Sequence, residues 1–468
     1  MKVADRGKDR KAAGTKERRT AGHPADARDI AYRLTRRVHA GDGYLGLLIR
    51  YSLDSEKLGA RDRALVAELA YGVQRHRNRI DHVIAAFSNR PLKELNPEVL
   101  DILRLGVFQL LEMRVPPHAA VNESVKLAKR HLGKSAGYVN AVMRGVAEGL
   151  ADISWPGPED LRSHLEVVYS HPRWLVEYLV KRFGEKEALE LCRANNRIPT
   201  LTLRINPLRA SRDELLEVMA SEGWQGRPSE LLPESIIDVS IPYPVLLDWL
   251  ERGLCVVQDE SSMLVSRVVD PREGQVVVDA CAAPGGKSTH LALLGGEGCR
   301  VIAVDRNAKR LKAMREAVKR LGLENIAIRT GDATHLQRVV DVTADAVLLD
   351  APCSGLGTLR RNPELKWKRF PGDIANLAGV QSRLIRGCAE VVRPGGVLVY
   401  SVCTFTLEET VGVVEGFLRE RKDFQPDSPA SLIPEILAAD LSPRGYLQIL
   451  PHRHGMEGMF IARLRRKA

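Results

Sequence analysis

The sequence predicts an α/β fold: a mostly parallel sheet with an antiparallel C-terminal hairpin, preceded by an all-helical domain and a small α/β connecting domain. Three observations lead there. From about residue 250 onward, short apolar runs alternate with stretches of helical spacing. Residues 26–150 show helical spacing alone, and Trp155-Pro156-Gly157-Pro158 breaks the chain after them. The length of 468 residues is about three times a typical domain of roughly 150, which leaves room for several cores.

Residues 1–25 hold eight basic and three acidic side chains and no apolar run, so they read as a disordered basic tail without a secretory signal. Helical spacing follows in Ile30, Leu34, Val38, then in Leu65, Val66, Leu69, Val73, then in Leu100, Leu103, Val107. Arg75, Arg77, Arg79, Lys126, Lys129, Arg130 and Lys134 are expected on the polar faces of this domain. Such a charge run reads first as a solvated surface and second as phosphate contact. Residues 159–245 read as the connecting domain, with helices to 196, a strand at 201–206, a helix near 211–222 and a Pro- and Gly-containing stretch. Residues 250–466 form the last domain. Its strand candidates are 276–280, 301–305, IAIRTGD, AVLLDAP and VLVYSVC; YLQIL and MFIARL suggest a hairpin at the sheet's edge. Apolar runs separated by helices indicate a sheet covered on both faces.

Composition narrows the function. The chain has 70 basic and 59 acidic residues, a net +11, which favours a polyanionic partner. Aromatics at 5% argue against a base-stacking platform as the main binding surface. No apolar run reaches the roughly 18 residues of a membrane span. Seven cysteines are widely spaced without a C-x-x-C pair, so neither a disulfide framework nor a zinc module is expected. Reduced thiols fit a cytoplasmic protein. No feature demands more than a monomer.

Ligands of doubly wound sheets bind beyond the carboxyl ends of the strands. Those ends are Asp279-Ala280-Cys281-Ala282-Ala283-Pro284-Gly285-Gly286-Lys287, Asp305, Gly331-Asp332, Asp350-Ala351-Pro352-Cys353 and Cys403. The Gly285–Gly286 turn lets backbone approach a ligand closely, and Ser288 and Thr289 open the next helix, where free amides point outward. Neither Gly-x-Gly-x-x-Gly nor a phosphate loop is present, which argues against a dinucleotide or an NTP. Asp305 is placed to accept ribose hydroxyls and Asp332 an adenine amino proton. A nucleoside without a phosphate cradle suggests S-adenosylmethionine, and hence a Rossmann-like methyltransferase domain.

Two strand-end thiols beside a methyl donor have a chemical rationale. Cytosine C5 is too weak a nucleophile to take a methyl group directly. A thiolate adding to C6 turns the ring into an enamine that can attack through C5, and loss of the C5 proton then permits elimination. Asp350 could relieve ring charge at N3.

DACAAPGGKSTHLA, VIAVDRNAKRL, DAVLLDAPCSGLGTLRRNPELKW and VLVYSVCTFTLEET resemble the NOL1/NOP2/Sun family of RNA cytosine-C5 methyltransferases. Residues 26–150 resemble NusB, a helical RNA-binding fold. The resemblance implies that Cys403 attacks C6 and that Cys353 assists release of the methylated product. It implies S-adenosylmethionine contacts from Cys281, Ala282, Ala283, Pro284, Gly285, Gly286, Lys287, Asp305, Asp332 and Asp350. It also implies small-subunit (16S) ribosomal RNA as partner and cytosine-967 as target. One residue departs from the pattern: Val402 stands where the family usually has Thr, and a compensating hydroxyl would come from Ser401 or Thr404. Two alternatives stand beside this reading. A DNA cytosine-C5 methyltransferase would use Cys353 as nucleophile; the second thiol and the NusB-like head argue against it. A non-catalytic RNA-binding assembly protein has only Val402 in its favour.

Overall fold

The structure is a computed structural model and describes residues 26–41, 43–55 and 58–468; the basic tail expected at 1–25 lies outside the described residues. Among the described residues, helical spacing at the start of the chain yields seven α-helices between Ala27 and Gly149. Their ends follow local chemistry. Asp26 caps the first helix by accepting Arg28 N–H at 3.0 Å. Asn96 caps Pro97–Leu111, whose proline occupies the first turn, where its missing N–H costs nothing. Leu69, Val73, Ile102, Val107 and Val139 meet in one apolar core.

The connecting region has two parts. Helices Leu161–Val167, Arg173–Phe183 and Glu185–Asn195 come first. Their buried face does not pack on the small sheet that follows. Leu175, Leu179 and Leu191 share a core with Leu356, Leu359 and Phe405, which belong to the loops carrying Cys353 and Cys403. An antiparallel sheet follows, built from β1 (Leu201–Ile205), β2 (Gln225–Pro228), β3 (Ser235–Ser240) and β4 (Cys255–Val257), in the order β2-β3-β1-β4. The Pro- and Gly-containing stretch therefore holds two strands. β2 is short and mostly exposed, so it lacks the apolar alternation that marks a strand in sequence.

The last domain carries β5 (Val276–Asp279), β6 (Arg300–Asp305), β7 (Ile326–Thr330), β8 (Ala344–Asp350), β9 (Val392–Val402), β10 (Phe424–Pro426), β11 (Leu447–Ile449) and β12 (Met459–Arg466). The order is β10-β12-β9-β8-β5-β6-β7, with β11 also paired to β12. The strands from β5 to β9 run parallel. Alternate residues bury on both faces: Val277, Val301, Leu348 and Val399 on one, Val278, Ile302, Leu349 and Tyr400 on the other. β11 and β12 pair antiparallel, but β12 is internal, because β9 takes its other side. The edge falls instead to the three-residue strands β10 and β11, which bind opposite ends of β12.

Arg75, Arg77 and Arg79 are not on a solvated face. Arg75 is buried and donates to the Arg360 carbonyl at 2.8 Å, Arg77 lies 5.2 Å over the Trp367 ring, and Arg79 pairs with Glu112 at 3.1 Å. The partner segment, 360–369, leaves the Cys353 loop and grips the helical domain repeatedly. Glu364 accepts Leu45 N–H at 2.9 Å, and Trp367 Nε1 donates to the Gln74 carbonyl at 2.7 Å. Buried Lys366 donates to the carbonyls of Arg75 and Ser170, each at 3.1 Å, and to Asn196 Oδ1 at 2.6 Å. Burial drives its ammonium well below the ordinary lysine range. Helical periodicity marks a polar face but cannot tell water from a second domain.

Candidate active site

Strand order places the acidic ends in a row. Following the sheet from β7 to β9, the carboxyl ends present Asp332, Asp305, Asp279, Asp350 and Cys403. Neighbouring strands lie about 4.8 Å apart, so the row runs roughly 19 Å along one rim. The order reverses between β5 and β8, which makes the crevice there the switch point where such sheets bind ligands.

The turn 281–287 sits at that point. Gly285 has φ +104°, a left-handed conformation, and a Cβ there would press on Met314 at 2.7 Å. Asp305 braces the turn: Oδ2 accepts Ala283 N–H at 3.1 Å and Oδ1 accepts Asn307 N–H at 2.8 Å. Ala282 and Ala283 are buried. From below, buried Arg204 of β1 donates to the Gly286 carbonyl at 3.1 Å and to Thr289 Oγ1 at 2.8 Å. Burial lowers its guanidinium to about 9, and the charge of Glu234 offsets this only in part. The small sheet thus holds the Gly turn, a contact that no local motif announces.

Asp279 accepts Ser288 Oγ–H at 2.6 Å, while among the described residues its Oδ1 is buried without a partner, as is Gln258 Oε1 beside Gly286. Burial raises the Asp279 carboxyl to about 7 despite the Ser288 bond. Buried acceptors lacking donors, on an acidic rim, suit a cationic and donor-rich ligand. The ammonium and sulfonium of S-adenosylmethionine fit that chemistry, with the two glycines leaving room for backbone approach. Asp332 is exposed and caps the following 3-10 turn through Thr334 N–H at 2.9 Å, at the end of the rim farthest from the thiols. Cys281 is half-buried, and burial pushes its thiol well up.

At the other end, Lys287 Nζ donates to Asp350 Oδ2 at 2.7 Å and Ser401 Oγ to Asp350 Oδ1 at 2.9 Å. Burial alone would lower the Lys287 ammonium, but Asp350 outweighs it and holds the charge. Cys353 and Cys403 lie with their sulfurs 3.3 Å apart. The contact with Cys403, then burial, raises the Cys353 thiol well above its ordinary value, so Cys353 keeps its proton. Ser401 turns toward Asp350, so along the strand Val402 turns into the core, where it is buried. Hydroxyls still serve both loops: Ser401 on Asp350, and Thr404 Oγ1 with Ser354 Oγ at 2.9 Å.

Glu409, which the sequence did not single out, ties the two thiol loops together. It is buried and accepts Ser354 N–H at 2.8 Å, Ser354 Oγ–H at 2.5 Å, Thr406 Oγ1–H at 2.8 Å and Gln381 Nε2–H at 3.0 Å. Gly357 adds a second tie, its N–H donating to the Cys403 carbonyl at 2.9 Å. All seven cysteines are free thiols; among the described residues no group of His, Cys, Asp and Glu could hold a metal, and no helix is long and apolar enough to cross a membrane.

Comparison with known proteins agrees with this architecture domain by domain. The family model of the 16S rRNA methyltransferase RsmB/F matches residues 266–465, that of the NusB family residues 25–148, and that of the RsmF/B-like ferredoxin-like domain residues 171–245. The probable ribosomal RNA small subunit methyltransferase B of Bacillus subtilis is 37% identical over 94% of this chain and 98% of its own. Its counterpart from Synechocystis is 35% identical over 94% of this chain and 99% of its own. The solved structure of PH0851 superposes with a TM-score of 0.79 at 26% identity, covering 95% of this chain and all of that one. NSun6 from Pyrococcus horikoshii gives 0.57 at 27% identity, over 64% of this chain and all of that one. With whole-length identity above one third and all three domain models in order, the chain belongs to the RsmB family of ribosomal RNA small subunit methyltransferases.

Proposed function

We propose that this chain methylates C5 of a cytosine in 16S ribosomal RNA through a covalent bond between Cys403 and ring C6. The 3.3 Å pairing of Cys353 and Cys403 at one end of the acidic rim carries the reading. S-adenosylmethionine, held by residues 281–287, Asp305, Asp332 and Asp350, supplies an electrophilic methyl group. The family resemblance gives the attack on C6 to Cys403, and the 3.3 Å contact sets Cys353 beside it to assist release. Asp350, fixed by Lys287 and Ser401, faces the ring at N3. Release breaks the C5–H and C6–S bonds: Cys353 gives its S–H proton to the departing Cys403 sulfur, and the thiolate left on Cys353 takes the C5 proton, which restores the aromatic ring. Holding these groups in one geometry supplies much of the rate. The target base must be unpaired or flipped to reach the thiols. The relatives from Bacillus subtilis and Synechocystis are probable ribosomal RNA small subunit methyltransferases, and the family resemblance points to cytosine-967.

The test is transfer of labelled methyl from S-adenosylmethionine to unmodified small-subunit ribosomal RNA, with the product mapped. A single 5-methylcytosine, absent with Cys403→Ser, is expected. Label on DNA alone, or on another atom of the base, overturns the proposal.

A further inference from the structure

The surface beside Cys353 is built by two domains. Arg369 Nε donates to the carbonyl of Ser354, the residue after Cys353, at 2.9 Å. Its Nη2 reaches the hydroxyl of Tyr44, in the helical domain, at 3.4 Å. Lys368 bonds the Gly43 carbonyl and stands 5.8 Å over the Tyr44 ring. The next residue, Phe370, is 60% exposed, and Tyr44 is 46% exposed. Phe370 begins the helix Pro371–Ala389, and its own N–H is anchored on Asp373 at 3.0 Å. Helix starts favour Ser, Thr, Asp or Asn, and a ring there with most of its surface in water gains little from packing. Capping therefore does not account for Phe370.

We propose that Tyr44, Arg369 and Phe370 clamp the single-stranded RNA next to the target cytosine. The rings stack on a flanking base, and the Arg369 guanidinium binds its phosphate. This inference rests on the RNA-methyltransferase reading above. Flipping a base leaves its neighbours without a stacking partner, and an exposed aromatic face restores one for any base. Among the described residues the guanidinium makes only the two contacts given, which leaves three of its five N–H donors for phosphate oxygens. The link through Ser354 is continuous with the thiol site, and Lys368 and the net charge of +11 complement a polyanion. Two rings form a local clamp, consistent with an aromatic content too low for a broad platform.

The test uses the full chain and an RNA oligonucleotide carrying the target cytosine, with 2-aminopurine on one side of it or the other. Binding to the wild type is expected to quench the probe on one side. Phe370→Ala and Tyr44→Ala should lose the quench and raise KM for RNA about fivefold or more, the lower end for a lost base stack. The loss should fall in KM more than in kcat, with cofactor affinity unchanged. Phe370→Trp should restore both readouts. Arg369→Gln should lower the slope of log affinity against log salt by about one. Melting curves check that each variant is folded. Folded Ala variants with wild-type KM and quench overturn the clamp; a wild type that methylates no RNA overturns the underlying reading instead.

Discussion

Asp279 shows how one buried carboxyl writes a pH dependence into the fold. Its folded value is about 7 against an ordinary 3.8. Between those values the folded chain holds a proton that the unfolded chain releases. Its stabilising contribution is thus complete below about pH 4 and is lost as pH rises through about 7. Asp279→Asn keeps an acceptor for Ser288 and carries no charge. The stability of that variant relative to wild type should grow by about 2–4 kcal/mol between pH 4 and 8, measured by denaturation without ligand. A difference independent of pH contradicts the burial argument. Glu409 is the other telling residue. Glu409→Gln puts an amide N–H among donors and should cost about 1–3 kcal/mol of stability. It should also slow methyl transfer at least tenfold, in single-turnover kinetics, by loosening both thiol loops. The strand-end carboxylates and both thiols were legible in sequence because each follows an apolar run. Glu409 was not, since Leu-Glu-Glu-Thr looks like any helix start and three of its four hydrogen bonds come from residues 28 or 55 positions away.

Elements meet closely where the Cys353 loop crosses Cys403. A Cβ on Gly357 would collide with the Gly458 carbonyl and lie 2.9 Å from that of Cys403. Gly357→Ala should destabilise the chain by about 1–3 kcal/mol and depress activity, as overpacking does. Gly372→Ala, where a Cβ would meet no neighbouring element within 4 Å among the described residues, should match wild type in both assays. The parallel strands were readable from their apolar runs and the helical domain from its 3.6-residue spacing. β2 and β3 were hidden among Pro and Gly. The helices of 161–195 could be read as helices, but not as the support beneath the thiol loops, because that face meets residues more than 160 positions away.

Across the whole molecule, the segment 360–369 joins three units, with Lys366 at their meeting point. Lys366→Met would leave the carbonyls of Arg75 and Ser170 and the Asn196 side chain without this donor. The helical domain should then loosen, with faster protease cleavage near 150–160 and a severalfold higher KM for RNA. Unchanged proteolysis and KM would mean that the other contacts suffice. Arg75 illustrates why sequence missed this joint: its polar face is met by the catalytic domain and not by solvent or RNA.

The division of labour between the two thiols is tested most directly by trapping. Wild type, Cys403→Ser and Cys353→Ser are each incubated with substrate RNA and S-adenosylmethionine, and denaturing gels read the covalent protein–RNA band. Cys353→Ser should accumulate the adduct, because Cys403 still attacks while release is impaired, and Cys403→Ser should form none. An adduct that survives in Cys403→Ser and vanishes in Cys353→Ser would contradict the assignment and make Cys353 the nucleophile.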